Sequence, residues 1–125
     1  MTKLDHLDVQ VADRSRARDW YVETLGLEVE FELPDAGVTA VRDEADFTIF
    51  LSESSNVVPE CTLYFQVDGV DRLHRSLADR GVAFVYAPQQ NPWGYGAELL
   101  DPDGHTVRLW DEVSMKRHAQ SQTPP

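Results

Sequence analysis

The chain has 125 residues and a formal net charge of −11 at pH 7, and it is long enough for one domain with an ordinary core. This acidic balance argues against nucleic acid and anionic membranes as partners and permits attraction of a cationic ligand. The sequence contains no apolar run of about 18 residues, so no transmembrane helix is predicted. The polar N-terminus predicts no signal peptide, and the single cysteine, Cys61, excludes an internal disulfide and favours a cytoplasmic location.

The first half of the chain predicts a strand, a helix and three further strands. His6–Ala12 alternates apolar and polar residues, which is typical of a half-buried strand. Ser15–Leu25 carries apolar residues at helical spacing, with Asp13 suited to cap its start and Gly26 to end it. The three strands that follow are predicted at Leu27–Leu33, Val38–Arg42 and Phe47–Ser52.

The second half repeats this plan and ends in a hairpin. Thr62–Val67 predicts a strand, and Val70–Ala78 predicts a helix that ends at Gly81. A strand at Val82–Tyr86 and a loop at Ala87–Gly94 are expected next. The hairpin is predicted as strands Tyr95–Leu100 and His105–Trp110 joined by the turn Asp101–Gly104, with Val107 and Leu109 on one face and Thr106, Arg108 and Trp110 on the other.

The two halves therefore read as one duplicated unit of strand, helix and three strands. The offset between Val11 and Val67 nearly equals that between Gly26 and Gly81, as a duplication requires. One helix for every four strands predicts an α+β fold, a curved and mostly antiparallel sheet with helices on its outer face. We expect a single domain over residues 1–113, with modules at about 4–53 and 60–112, and a polar tail over residues 114–125 that is frayed from Lys116 onwards.

Short motifs give this plan a family resemblance. They are His6-Leu7, Val11-Ala12-Asp13 before Trp20-Tyr21, Leu25-Gly26-Leu27 and Asp101-Pro102-Asp103-Gly104. Together with the duplicated unit, these motifs make the chain resemble the vicinal oxygen chelate superfamily of glyoxalases, bleomycin-resistance proteins and dioxygenases. The stretches Val57–Leu63 and Asn91–Gly94 look most like those of bleomycin-resistance-type proteins.

Enzymes of the resembled superfamily usually hold a divalent metal ion at four places in the sheet. In this sequence those places fall on His6, Phe50, Thr62 and Arg108. Phenylalanine offers no donor atom and arginine cannot be deprotonated, so three of the four places lack a ligand residue of the usual kind. We therefore expect no metal and no catalysis; if the chain is an enzyme, His6 is its candidate acid or base.

Strand parity predicts a shared face on which a small molecule binds. Its residues combine aromatic rings with hydrogen-bonding groups, the usual lining of a ligand site. The predicted ligand-binding residues are His6, Asp8, Phe50, Thr62, Tyr64, Gln66, Trp93, Arg108 and Trp110. Arg108 either clamps a ligand carboxylate or forms an ion pair with Asp8 or Glu98. Trp20 and Tyr21 fall on the apolar stripe of the first helix and are expected in the core.

The resemblance implies a homodimer that sequesters an aromatic or cationic drug or metabolite without a cofactor, as in antibiotic resistance. Two alternatives stay open at this point. The first is a lyase, isomerase or dioxygenase that uses a divalent metal ion, or acid–base chemistry through His6. The second is a carrier or regulatory module that binds a metabolite and contacts another protein.

Overall fold

The computed structural model describes the backbone of residues 2–121 and the side chains of residues 2–119. The chain divides into two compact units. The first comprises the residues up to Cys61 together with the turn Asp101–Gly104, and the second comprises the rest. Each unit has its own four-stranded sheet, built in the order strand, helix, strand, strand, strand. The predicted α+β fold with duplicated modules is therefore confirmed.

The first unit forms a mixed sheet with strand order β1-β4-β3-β2. Strand β1 pairs with β4 in parallel, and the other two pairs are antiparallel. A short 3-10 turn, Pro34–Ala36, separates β2 from β3. The elements are β1 (His6–Val11), α1 (Arg14–Leu25), β2 (Glu28–Leu33), β3 (Val38–Arg42) and β4 (Thr48–Glu53).

Helix α1 begins and ends as the sequence predicts. The Asp13 side chain accepts a hydrogen bond from the Arg16 backbone N–H at 3.0 Å, and Gly26 closes the helix in the left-handed conformation at φ 74°. Tyr21 lies in the core, as expected, and its hydroxyl donates to Oδ2 of Asp101 at 2.7 Å. Burial, together with the Asp101 carboxylate, raises the pKa of Tyr21.

The second unit repeats the arrangement with strand order β5-β8-β7-β6. Strand β5 pairs with β8 in parallel, and β7 pairs with both β8 and β6 in the antiparallel sense. The predicted alternation in the last strand is confirmed, since Val107 and Leu109 are fully buried while Arg108 is half-exposed. The elements are β5 (Thr62–Gln66), α2 (Val70–Asp79), β6 (Tyr86–Asn91), β7 (Gly94–Leu100), β8 (Thr106–Trp110) and α3 (Glu112–Ser121).

One buried carboxylate caps two helices of the second unit. Helix α2 follows Gly69, which has no side chain to cap it. Asp111 takes over this role from a distant position, accepting from the Val70 backbone N–H at 2.7 Å, and it also accepts from the Ser114 N–H at 2.7 Å in the first turn of α3. Burial raises the pKa of Asp111, but these N–H groups outweigh it, so that the net pKa is lowered.

The prediction for β6 was wrong. The strand is Tyr86–Asn91 instead of Val82–Tyr86, so the predicted loop Ala87–Gly94 is mostly strand. Pro88 lies inside β6, which is an edge strand where a residue without a backbone N–H is tolerated. The pairing between β6 and β7 is also irregular after Tyr86. Proline and glutamine residues beside this irregularity gave the sequence the composition of a loop.

The prediction of a frayed tail from Lys116 is wrong for residues 116–121, which lie in α3. This helix packs on β7 through His118, whose ring stacks on Tyr95 with centroids 3.6 Å apart, and through Met115, which contacts Gly94. Its exposed side carries an ion pair between Lys116 and Glu112 at 2.8 Å. The rest of the predicted tail, residues 122–125, lies outside the described residues. Within residues 2–121 no helix is both long and apolar enough to cross a membrane.

Candidate functional site

A row of four polar and aromatic side chains crosses every strand of the second sheet. Tyr64 in β5 is the register partner of Arg108 in β8. Arg108 is in turn the partner of Glu98 in β7, and Glu98 of Tyr86 in β6. Because paired residues point to the same side of a sheet, these four side chains lie on one face. These four side chains, brought together by the register of the strands, form the centre of the candidate site.

Arg108 is the hub of this row. Its Nε donates to Oε1 of Glu98 at 2.9 Å, and its Nη1 donates to the Tyr64 hydroxyl. Its Cζ lies 5.3 Å from the ring centroid of Tyr64 and 5.5 Å from that of Trp93, within cation–π range. The hydrogen bond with Glu98 is the main reason that the pKa of Arg108 is raised. Of the two acidic partners considered for Arg108, the structure therefore shows Glu98.

Trp93 covers this face from the two-residue turn between β6 and β7. Its Nε1 donates to the Tyr86 hydroxyl at 2.9 Å, and its ring meets Tyr64 edge to face at 5.5 Å. The Tyr86 hydroxyl also donates to Oε1 of Glu98 at 3.4 Å. Burial is the main cause that raises the pKa of Tyr86, whose hydroxyl is protonated at neutral pH even at the ordinary pKa of tyrosine. Trp93 is thus fixed by the same network that holds Arg108.

A glycine lets the Trp93 ring lie directly over strand β7. A Cβ atom added at Gly96 would collide with the Trp93 ring and with the backbone carbonyl of Leu109. The φ angle of Gly96 is not in the left-handed region, so the need for glycine here is steric and not conformational. Any larger residue at this position must move the indole or the strand.

The network borders an open depression of about 540 Å³. Its size is within the range of small-molecule sites, and its walls combine two ring systems with one cation and one carboxylate. Tyr64 adds a half-exposed ring beside it, with 52% of the residue accessible. The lining residues are Tyr86, Asn91, Pro92, Trp93, Glu98 and Arg108.

The corresponding face of the first sheet carries a different aromatic row. The His6 ring stacks on Phe50 with centroids 3.9 Å apart and planes at 21°, and Phe31 meets Phe50 edge-on at 5.6 Å. His6 Nδ1 lies 3.1 Å from Oδ2 of Asp5. Asp8 accepts a hydrogen bond of 2.7 Å from the Ser52 hydroxyl. Phe31 was missed from the sequence because an irregularity in β2 between Val29 and Phe31 shifts the strand parity.

The predicted ligand-binding residues are distributed over both units. His6, Asp8 and Phe50 lie on the first sheet, where His6 and Phe50 are in contact. On the second sheet, Tyr64, Trp93 and Arg108 are in mutual contact. The remaining three lie two residues along the strands from the Tyr64–Arg108 pair. Thr62 lies on one side of this pair, and Gln66 and Trp110, which are paired with each other, lie on the other side.

Four lining residues, Tyr86, Asn91, Pro92 and Glu98, were not predicted as ligand-binding, and two of them, Tyr86 and Glu98, belong to the hydrogen-bonded network. Glu98 was named as an ion-pair partner but not as a ligand-binding residue, although its position on the same face as Arg108 follows from the hairpin. Tyr86 was missed because β6 was placed too early in the chain, which put this tyrosine at the end of a strand instead of its start.

The four places where relatives hold a divalent metal do not fit one here. His6 is stacked on Phe50, which offers no donor. Arg108 is a cation held by Glu98, and a guanidinium repels a dication. Thr62 supplies a single neutral hydroxyl. Across residues 2–121, no group of three or more histidine, cysteine, aspartate or glutamate side chains is placed to hold a metal ion.

The chain belongs to the glyoxalase/bleomycin resistance protein/dioxygenase superfamily, whose family model matches residues 3–109. No curated protein matched the sequence. The resemblance deduced from the sequence motifs is therefore confirmed at the level of the superfamily.

Solved structures of the same fold include an antibiotic-binding protein. TnmS3 of Streptomyces sp. CB03234, described as an antibiotic binding protein, is 29% identical with a TM-score of 0.76, over 89% of this chain and 96% of that one. A superfamily member from Sphaerobacter thermophilus DSM 20745 is 26% identical with a TM-score of 0.73, over 90% and 99%. An integron cassette protein from the Halifax Harbour sewage outfall metagenome, 19% identical with a TM-score of 0.75 over 87% and 97%, shows the fold alone.

Proposed function

We propose that this protein binds and sequesters a small aromatic molecule on the face of its second sheet, without a metal ion and without chemistry. The observation that carries the proposal is the arrangement of Trp93, Tyr64 and Arg108 around the open depression. Ring faces supply affinity for a flat apolar ligand, and the few polar groups orient it. A drug or a metabolite meets these requirements.

Two further facts support binding over catalysis. Several polar groups of the site are hydrogen-bonded to one another, in the chain from Trp93 through Tyr86 and Glu98 to Arg108. Glu98, the one carboxylate among the described lining residues, is engaged by the Arg108 guanidinium at 2.9 Å. The likeness to TnmS3, at 29% identity, adds support from a protein described as antibiotic-binding.

A thermal-shift screen of aromatic compounds tests the proposal. We expect a rise in Tm with some planar aromatics, unchanged by a chelator and accompanied by no product in mass spectrometry. The variant Trp93→Leu should abolish the rise, whereas Trp20→Phe, on α1 of the first unit, should keep it. A product formed from the bound compound would contradict the proposal and favour the enzyme alternative.

Elemental analysis distinguishes two roles for His6, a packed side chain and a metal ligand. Its ring is stacked on Phe50 and hydrogen-bonded to Asp5, which suits a packed side chain more than a metal ligand. We expect purified protein to carry no stoichiometric transition metal. A bound metal that is lost in His6→Ala would favour a metal-dependent lyase, isomerase or dioxygenase instead.

We also propose that the protein is a homodimer and that it is located in the cytoplasm. Sequestering proteins of the bleomycin-resistance type, which the sequence resembles, act as dimers, and a single cysteine, Cys61, suits a reducing compartment. Light scattering coupled to size exclusion should give twice the monomer mass of 14.2 kDa. A monomer at micromolar concentration would remove the dimer from the proposal and leave the binding site of the second unit untouched.

A further inference from the structure

The guanidinium of Arg108 has donors to spare on the candidate site. Nε is engaged by Glu98 and Nη1 by the Tyr64 hydroxyl. In the part of the chain that the structure describes, Nη2 donates to no protein atom. A guanidinium carries five N–H groups, two of them on Nη2. About a quarter of the side chain, 26%, is exposed, so Nη2 belongs to a group that a ligand can reach.

The charges around the depression favour an acceptor over a cation. Glu98 is the single carboxylate among the described lining residues, and its Oε1 already accepts from Arg108 and from Tyr86. A cationic ligand would have to approach the Arg108 guanidinium, and the one carboxylate beside it, Glu98, already forms an ion pair with that guanidinium. The net charge of −11 does not reverse this, since salt screens charges beyond about 8 Å at physiological ionic strength.

The rings next to Arg108 define the shape of the ligand. Tyr64 and Trp93 stand at 81° to each other, so a flat molecule stacked on one ring presents its edge to the other. Both ring centroids lie within 5.5 Å of the guanidinium carbon. A substituent at the edge of a stacked ring is thereby brought close to Nη2.

We propose that the ligand is a planar aromatic molecule with an exocyclic acceptor oxygen, and that this oxygen receives an N–H from Nη2 of Arg108. A carbonyl, a carboxylate or a phenolate supplies the same acceptor chemistry. This inference rests on the proposed function and narrows it, because it excludes the cationic ligands that the overall charge permits. Glu98 then acts as a positioning residue that holds the guanidinium in the plane of the acceptor.

Three naphthalene probes with a common ring test the inference by isothermal titration. They are 2-naphthoate, a charged acceptor; 2-acetylnaphthalene, a neutral acceptor; and 2-naphthylmethylammonium, a cation without an acceptor. We expect both acceptors to bind at least about tenfold more tightly than the cation, as one hydrogen bond to a charged group implies. Tighter or equal binding of the cation would overturn the inference and leave the proposed function standing.

Variants assign the difference to Arg108. Arg108→Gln should weaken both acceptor probes about tenfold and leave the cation unchanged or improved. Arg108→Lys keeps the charge but loses the planar fork, and should recover part of the affinity for naphthoate only. The matched control is Arg42→Gln, which removes a guanidinium from the first sheet and should change no probe. Equal losses for all three probes in Arg108→Gln would contradict the acceptor role, and binding of none by the wild type would contradict the proposed function itself.

Discussion

The two units share one strand order and one pattern of pairing, yet their equivalent faces carry different side chains. The first face stacks His6 on Phe50 and presents carboxylates bound by hydroxyl groups, as Asp8 is by Ser52. The second face presents a guanidinium, Arg108, among tyrosine and tryptophan rings. The backbone plan therefore decides which residues share a face, and the side chains alone decide what that face recognises.

The helices of the two units are also started in different ways. Helix α1 is capped by its neighbour in sequence, the exposed Asp13, through one hydrogen bond. Helix α2 is capped by the buried Asp111, which serves α3 as well. Local capping leaves each helix independent, whereas capping from a distance couples two helices to one residue.

The largest expected effect is at this shared cap. Asp111→Ala leaves two buried backbone N–H groups without an acceptor and should lower the free energy of unfolding by about 3 kcal/mol. Asp13→Ala removes one exposed cap and should cost about 1 kcal/mol. Urea denaturation monitored by circular dichroism measures both. Equal losses would mean that Asp111 serves one helix only.

The contribution of Asp111 to stability also has a pH dependence with a definite sign. Because the pKa of Asp111 is lowered in the folded state, its contribution to stability is present above the ordinary carboxyl pKa and is lost as the pH falls below it. The stability difference between wild type and Asp111→Asn should therefore shrink below about pH 4. A difference that stays constant down to acid unfolding would contradict the role of the ionised carboxylate.

Two glycines, one in each unit, separate steric from conformational demands. Gly96→Ala forces a Cβ against Trp93 and the Leu109 carbonyl, and overpacking of this kind should cost about 2–3 kcal/mol. Gly26→Ala meets open space but keeps a left-handed φ of 74°, and should cost about 1 kcal/mol. Tryptophan fluorescence should change in Gly96→Ala only. An unchanged spectrum would mean that the indole does not rest on Gly96.

Each unit also has a buried tyrosine that donates to a carboxylate at 2.7 Å, Tyr21 to Asp101 and Tyr95 to Asp71. Asp101 is 4% exposed, so Tyr21→Phe leaves a buried charge short of a partner and should cost about 2 kcal/mol. Asp71 is half-exposed and can be hydrated, so Tyr95→Phe should cost about 1 kcal/mol. Thermal unfolding of both variants measures the order, and the reverse order would contradict this account.

Tyr95 gives the smallest effect, a slope in alkaline stability. Burial, with the hydrogen bond to Asp71, raises its pKa to about 12, so its contribution to stability is complete below about pH 10 and is lost as the pH rises towards 12. Tyr95→Phe should therefore lose less stability than wild type between about pH 10 and 12. Denaturation midpoints in that range provide the measurement, and parallel curves would exclude the effect.

Much of the fold was predictable because its signals are local. Helix caps such as Asp13 and Gly26, and the alternation around Arg108, depend on a few neighbouring residues. The duplication also presents the same order of elements twice in the sequence. Strand β6 was not predictable, since Pro88 and the irregular pairing after Tyr86 are tolerated only because the strand lies at a sheet edge. Edge position is a property of the assembled sheet and leaves no mark in composition.

The sequence predicted which side chains of the candidate site share a face of the sheet, but it did not predict the hydrogen bonds between them. The hairpin showed that Arg108 faces away from the core, and Glu98 follows from the register of the same hairpin. The position of Trp93 depends on a two-residue turn whose start moved with β6, and on the absent side chain at Gly96. Which hydrogen-bond donor meets which acceptor depends on such placements, and sequence patterns do not encode them.

The turn Asp101–Gly104 has a consequence for how the gene can be divided. Although it joins two strands of the second unit, it belongs to the first, where Asp101 accepts the Tyr21 hydroxyl and Asp103 accepts the Ala12 N–H at 2.9 Å. A fragment ending at Cys61 would contain the whole first sheet and lack both acceptors. The first unit is therefore incomplete without residues from late in the sequence, and a protein split after Cys61 should regain the structure of this unit only when the two fragments are combined.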